Sequence, residues 1–107
     1  MPDYEEVERK IDAIEAEIKR IGGWREEPLP EEAYNFTRAF AMDTMPYSYW
    51  LQFIFIPRVR DIIASRGSFP STSQVGAQAV REFDGVYEAD DLVRLLSDFD
   101  HYIERSA

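Results

Sequence analysis

The segment from Tyr47 to Ser65, YSYWLQFIFIPRVRDIIAS, is the most apolar part of the 107-residue chain. Large apolar side chains crowd its first half: Trp50, Leu51, Phe53, Ile54, Phe55 and Ile56. A helix that is apolar on nearly every side is typical of the centre of a folded domain. We therefore predict a central helix that the rest of the chain covers.

Pro57 lies inside this predicted helix. A proline in a helix interior removes a backbone hydrogen bond and costs about 3 kcal/mol, whereas burying one large apolar side chain contributes about 1.5–3 kcal/mol. The apolar residues before Pro57 outweigh its cost, so we expect one helix with a kink. A strand is the alternative for Phe53–Ile56. Proline disfavours a central strand, however, and Val59, Ile62 and Ile63 continue at helical spacing.

Composition limits the classes of protein that this chain can represent. The length fits one domain, 1–107, and the absence of cysteine excludes disulfides and thiolate metal sites. The net charge of −9 argues against direct binding to nucleic acid or anionic lipid. The sequence shows neither a signal peptide nor a membrane span, so we expect a cytoplasmic protein.

The N-terminal segment predicts an amphipathic helix at about 3–21. Its apolar residues alternate spacings of four and three: Val7, Ile11, Ile14, Ile18 and Ile21. Asp3 is placed to cap this helix, and Gly22-Gly23 ends it. The repeat is short for a coiled coil, so packing on the same domain is the favoured interpretation. The alternative is a homodimer that pairs two copies of this helix.

The remaining segments complete an all-α prediction. Pro28 and Pro30 punctuate an irregular segment, 22–44, that we expect to cover the core. Thr44 is a plausible N-cap for the central helix, and Ser71 with Gln74 forms a capping-box pattern further on. The chain is thus predicted to be a single-domain bundle of about four helices, at roughly 3–21, 45–65, 73–84 and 88–105, joined by short connections.

No constellation of residues in the sequence indicates catalysis. His101 is the one histidine, and it follows Asp98 at a spacing found in di-iron bundles. Such a site needs a second histidine, so a solvated helix face is the better interpretation. There is no glycine-rich phosphate loop and no supported Ser-His-Asp set. We predict no catalytic residue, no metal site and no cofactor.

The best candidate site lies beside the apolar segment. Asp43, Thr44 and Arg58 are polar residues at this junction, and Arg60 follows closely. On the structural interpretation, Arg58 or Arg60 pairs with Asp43, with Asp61 or with a helix C-terminus. On the functional interpretation, Asp43, Thr44 and Arg58 form a polar site for a ligand or a partner.

Three aromatic residues exceed what a small core requires. Trp24, Tyr47 and Tyr49 are therefore expected at a contact with a partner protein, because tryptophan and tyrosine are enriched among residues that dominate binding energy.

The motifs around the central segment resemble the YqcC-like family of small bacterial proteins. They are Phe40, MDTM at 42–45, WLQ at 50–52 and IPR at 56–58, and Trp24 and Pro70 also match. The resemblance covers nearly the whole chain, implies a small helical bundle, and brings no catalytic residues with it. The chain departs from the family at two positions: Ala39 stands where members often have proline, and Pro46 where they often have an acidic residue.

The family also carries a label that names a tRNA pseudouridine synthase. Such synthases are much larger α/β proteins whose pattern this chain does not match, so the label indicates gene adjacency. We expect a non-catalytic protein that binds a protein partner, with an RNA-modifying enzyme as the candidate. The alternative is a small-molecule binder or minor enzyme with a polar pocket near Asp43 and Arg58.

Overall fold

Five α-helices make up the fold of this protein, whose computed structural model describes all residues from Met1 to Ala107. They are α1 (Tyr4–Arg20), α2 (Tyr47–Trp50), α3 (Ile56–Ser65), α4 (Val75–Glu82) and α5 (Asp90–Arg105). Three short 3₁₀ turns lie at Glu31–Tyr34, Ala39–Ala41 and Tyr87–Ala89, and there is no β-strand. The all-α prediction is confirmed, and segment 22–44 is irregular apart from its two 3₁₀ turns.

The central helix is continuous from 47 to 65, because a π-helical segment, Leu51–Phe55, joins α2 to α3. The backbone N–H of Ile56 donates to the carbonyl of Leu51, five residues earlier. This bond shifts the hydrogen-bond register by one residue just before Pro57. Pro57 lies in the first turn of α3, and it has no backbone N–H of its own. The prediction of a helix rather than a strand is confirmed, and the π segment is a feature that the sequence did not reveal.

One hydrophobic core joins all five helices. Helix α1 presents Val7, Ile11, Ile14 and Ile18 to it, and none of the four is exposed to solvent. This face packs against α3 and α5 of the same chain. The apolar face of α1, which would form the seam of a coiled coil between two copies, is thus already buried against helices of the same chain. No helix has both the length and the apolar character required to cross a membrane.

The capping predictions were right for α1 and wrong for the central helix and for α4. The Asp3 side chain accepts a hydrogen bond from the backbone N–H of Glu5. Thr44 does not cap the central helix: its hydroxyl donates to the carbonyl of Ala33 at 2.7 Å, and the helix starts after Pro46. Ser71 does not cap α4 either: the helix begins at Val75, and Gln74, at the N-cap position, makes no capping bond. Asp100 of α5 supplies the cap instead.

Candidate functional site

Asp43 organises the turn before the central helix. Its Oδ2 accepts hydrogen bonds from the backbone N and the hydroxyl of Thr37, each at 3.0 Å, and Oδ1 accepts one from the backbone N of Arg38 at 3.4 Å. Hydrogen bonds to the charged form, led by that from the Thr37 backbone, lower the pKa of the Asp43 carboxyl. Asp43 is therefore occupied in a local turn.

That turn contains two residues in left-handed backbone conformations. Phe40 has φ of 57° and Ala41 has φ of 52°, a conformation that costs of order 1–3 kcal/mol for a residue with a side chain. The turn places the Phe40 ring edge-on to Trp50, with 4.9 Å between ring centroids. This aromatic contact offsets the cost of the two left-handed residues. The turn that Asp43 organises therefore holds the Phe40 ring against the core.

The two arginines of α3 have different environments. Arg60 pairs with Asp12 at 3.1 Å and with Glu15 at 3.0 Å, both on α1. Arg58 is exposed and forms no ion pair, but it lines an apolar cavity. Neither Asp43 nor Thr44 lines any cavity of the protein. The structure therefore brings neither arginine to Asp43, and it does not join Asp43, Thr44 and Arg58 in one pocket.

Tyr47 cannot serve as a contact residue, contrary to our expectation. Only 3% of it is exposed, and its ring stacks on that of Trp50 with centroids 5.6 Å apart. Its hydroxyl donates to the carbonyl of Val75 at 2.7 Å, which satisfies the one polar group of the buried side chain. Burial raises the pKa of this hydroxyl far above its usual range. Tyr47 is thus a core residue.

Trp24 and Tyr49 are linked through Arg25, which follows Trp24 in the chain and whose guanidinium lies over the ring of Tyr49. Both are half-buried, and a cation lies over each ring: Lys19 Nζ is 4.7 Å from the Trp24 ring, and the Arg25 guanidinium carbon is 5.7 Å from the Tyr49 ring centroid. Phe53 packs edge-on to Tyr49. We call Lys19, Trp24, Arg25, Tyr49 and Phe53 the Trp24–Tyr49 surface.

Gln52 fixes this surface, and the sequence did not identify its role. Its Oε1 accepts from the backbone N of Arg25 at 2.8 Å, and its Nε2 donates to the carbonyl of Arg25 at 2.7 Å. The Gln52 side chain is buried, so both hydrogen bonds are shielded from water. The partner residue lies 27 positions away, and no local pattern could have indicated it.

Asp98 and His101 are exposed on α5. No group of three or more histidine, aspartate or glutamate side chains in the structure is arranged to hold a metal ion. His101 lines a polar cavity together with Ser73, Asp100 and Glu104.

Comparison with known proteins identifies the family. A family profile described as "tRNA pseudouridine synthase C" matches residues 6–102. The chain is also 34% identical, over 76 residues, to "Uncharacterized protein YqcC" of Escherichia coli (strain K12), an alignment that covers 70% of this chain and 69% of that protein. The chain belongs to the YqcC-like family. A solution NMR structure of E. coli YqcC matches with a TM-score of 0.86 over 100% of this chain and 92% of that one, at 24% identity, and so shows the same fold.

A second relative carries the name "tRNA pseudouridine synthase C" and comes from Pectobacterium carotovorum subsp. carotovorum. The chain is 34% identical to it over 65 residues. These residues make up 61% of this chain but only 17% of that protein. More than four fifths of the Pectobacterium protein thus lies outside the match.

Proposed function

We propose that this chain is a non-catalytic helical module that binds a partner protein in the cytoplasm, and that the partner is a tRNA pseudouridine synthase. The observation that carries the proposal is the partial match to the Pectobacterium protein. The matched region is a small share of a protein that bears the synthase name. The unmatched remainder is large enough to hold the synthase activity, which supports a role for the shared module beside the catalytic part.

The Trp24–Tyr49 surface is the contact that we propose. Tryptophan, tyrosine and arginine are the residue types that most often dominate binding energy at protein interfaces, and this surface contains Trp24, Arg25 and Tyr49. The two hydrogen bonds between the Gln52 side chain and the Arg25 backbone hold this part of the chain in place before any partner arrives. Such pre-organisation supports tight binding, because fewer groups lose conformational freedom on association.

The net charge of the whole chain, rather than the contact surface itself with its Lys19 and Arg25, supports the same class of partner. The chain has 21 acidic and 12 basic residues, and an acidic protein associates faster with a basic one than with another acidic one. Proteins that bind tRNA carry basic surfaces. The acidic charge also repels RNA itself, so the proposal assigns RNA binding to the partner.

Binding between the purified chain and the tRNA pseudouridine synthase of the same organism tests this proposal. Isothermal titration calorimetry should show a saturable complex. Tyr49→Ala should weaken it by about tenfold or more, as expected for a central tyrosine. Tyr87→Ala is the matched control, because Tyr87 is 82% exposed and lies outside the Trp24–Tyr49 surface.

Two results would count against the proposal. The first is no measurable binding with both proteins folded, which removes the synthase as partner. The second is an equal loss of affinity for Tyr49→Ala and Tyr87→Ala, which removes the Trp24–Tyr49 surface as the contact. Circular dichroism of each variant checks that the fold is retained.

A further inference from the structure

A cavity of about 190 Å³ lies between α3, α5 and the loop of residues 66–74. Most of the residues that line it are apolar, and four are aromatic: Trp50, Phe55, Phe69 and Phe99. An apolar cavity of about 150 Å³ in another protein stays dry and binds benzene. The present cavity is therefore large enough for one six-membered aromatic ring with a short side chain.

Arg58 is the one charged residue that lines this cavity. It is exposed and has no ion-pair partner, unlike Arg60, which follows two residues later on the other side of α3. The chain contains 21 acidic residues, yet none of them lines the cavity. The opening thus offers an unpaired guanidinium beside an aromatic interior, which is complementary to a molecule with an apolar body and a negative end.

The loop over the cavity is held at both ends. The Tyr4 hydroxyl donates to the carbonyl of Gly67 at 2.6 Å, and the Ser73 hydroxyl donates to Oδ1 of Asp100 at 2.6 Å. Between these two points, residues 68–72 form no backbone–backbone hydrogen bond. The cavity therefore exists before a ligand binds, while the middle of its cover can adjust to admit one.

We propose that this cavity binds a small aryl carboxylate. The ring lies under Phe69 and against Phe55 and Phe99, whose own rings pack edge-on with centroids 5.2 Å apart, and further edge-to-face contacts with these aromatic walls are available to it. The carboxylate lies at the opening and accepts hydrogen bonds from the Arg58 guanidinium, whose planar donors match two carboxylate oxygens. This site is separate from the Trp24–Tyr49 surface and does not depend on a synthase partner.

A titration followed by ¹H–¹⁵N NMR tests the proposal, with 3-phenylpropionate as the probe and its neutral amide, 3-phenylpropanamide, as the uncharged counterpart. The carboxylate should cause saturable shifts at Phe69, Val75 and Phe99, with a Kd of about 1 mM or below, as expected for a fragment of this size. Arg58→Gln should raise the Kd of the carboxylate by about threefold to tenfold and leave that of the amide within about twofold. Arg81→Gln is the matched control, because it removes the same charge from an exposed arginine that does not line the cavity.

Three outcomes would overturn the proposal. One is the absence of saturable shifts at probe concentrations up to about ten times the expected Kd. Another is binding outside the cavity residues. The third is equal binding of carboxylate and amide together with no effect of Arg58→Gln. Because Arg58 is exposed and unpaired, its variant should fold normally, and the dispersion of the spectrum verifies this.

Discussion

Asp100 of α5 accepts a hydrogen bond from the backbone N–H of Gly76, with 2.8 Å between Oδ2 and the nitrogen. The same carboxylate accepts from the backbone N of Val75 at 3.0 Å and from the hydroxyl of Ser73 at 2.6 Å. The first N–H groups of a helix have no partner within it, and a carboxylate there also interacts favourably with the helix dipole. Helix α4 is thus capped by a residue of the helix it packs against.

Replacing Asp100 with asparagine should lower the free energy of unfolding by about 1–3 kcal/mol. The asparagine amide presents an NH₂ group where the carboxylate oxygen accepted hydrogen bonds, so at least one buried donor of α4 loses its partner. Urea unfolding followed by circular dichroism measures the change. Asp98→Asn is the control on the same helix: Asp98 is exposed, and its change should stay within about 0.5 kcal/mol. Equal effects of the two substitutions would show that the cap adds no stability.

Gly76 is also required for the close approach of α4 to α5. A Cβ atom at this position would lie 2.5 Å from both the Cα and the backbone N of Ser97. Helix propensity alone favours alanine over glycine by about 1 kcal/mol, whereas forcing the two backbones apart costs about 1–3 kcal/mol. We expect Gly76→Ala to destabilise the protein in thermal unfolding. Adding Ser97→Gly should not restore stability, because the clashing atoms belong to the backbone, and a full rescue would contradict this explanation.

Trp50 is a core residue, 8% exposed, at the centre of an aromatic cluster. Its ring centroid is 4.9 Å from that of Phe40, 5.6 Å from that of Tyr47 and 5.9 Å from that of Phe55. Trp50→Ala should therefore cost about 3–5 kcal/mol in urea unfolding. Trp24→Ala should lower the free energy of unfolding by less than Trp50→Ala does, because Trp24 is only half-buried. A loss below about 1 kcal/mol for Trp50→Ala would show that the cluster does not support the fold.

The helices could be predicted because their signals are local. The spacing of Val7, Ile11, Ile14 and Ile18 specifies a buried face whatever lies opposite it, and all four residues are buried. The apolar run before Pro57 identified the central helix in the same way. The π segment was not predictable, because it depends on hydrogen-bond register, which side-chain periodicity does not report.

The candidate site could be predicted only in part, because its contacts are long-range. Trp24 and Tyr49 were predicted as contact residues from residue type alone, and both are half-buried with a cation over the ring. Tyr47 was misassigned because a tyrosine is equally suited to a surface and to a core that offers its hydroxyl a partner, and that partner, Val75, lies 28 residues away. The sequence did not single out Asp100 for the same reason: its partners lie 23 to 27 positions earlier.

The stability of the turn that Asp43 organises should depend on pH. Hydrogen bonds from the backbone N–H and hydroxyl of Thr37 stabilise the carboxylate form, so the folded-state pKa of Asp43 lies below its ordinary value of 3.8. A lowered pKa means that the stabilisation is fully present above the unfolded-state pKa and is lost as the pH falls through the folded-state pKa. The Thr37 amide resonance in NMR should therefore titrate with a midpoint below 3.8. Asp43→Asn should abolish this titration, and a midpoint at or above the ordinary value would contradict the assignment of these hydrogen bonds.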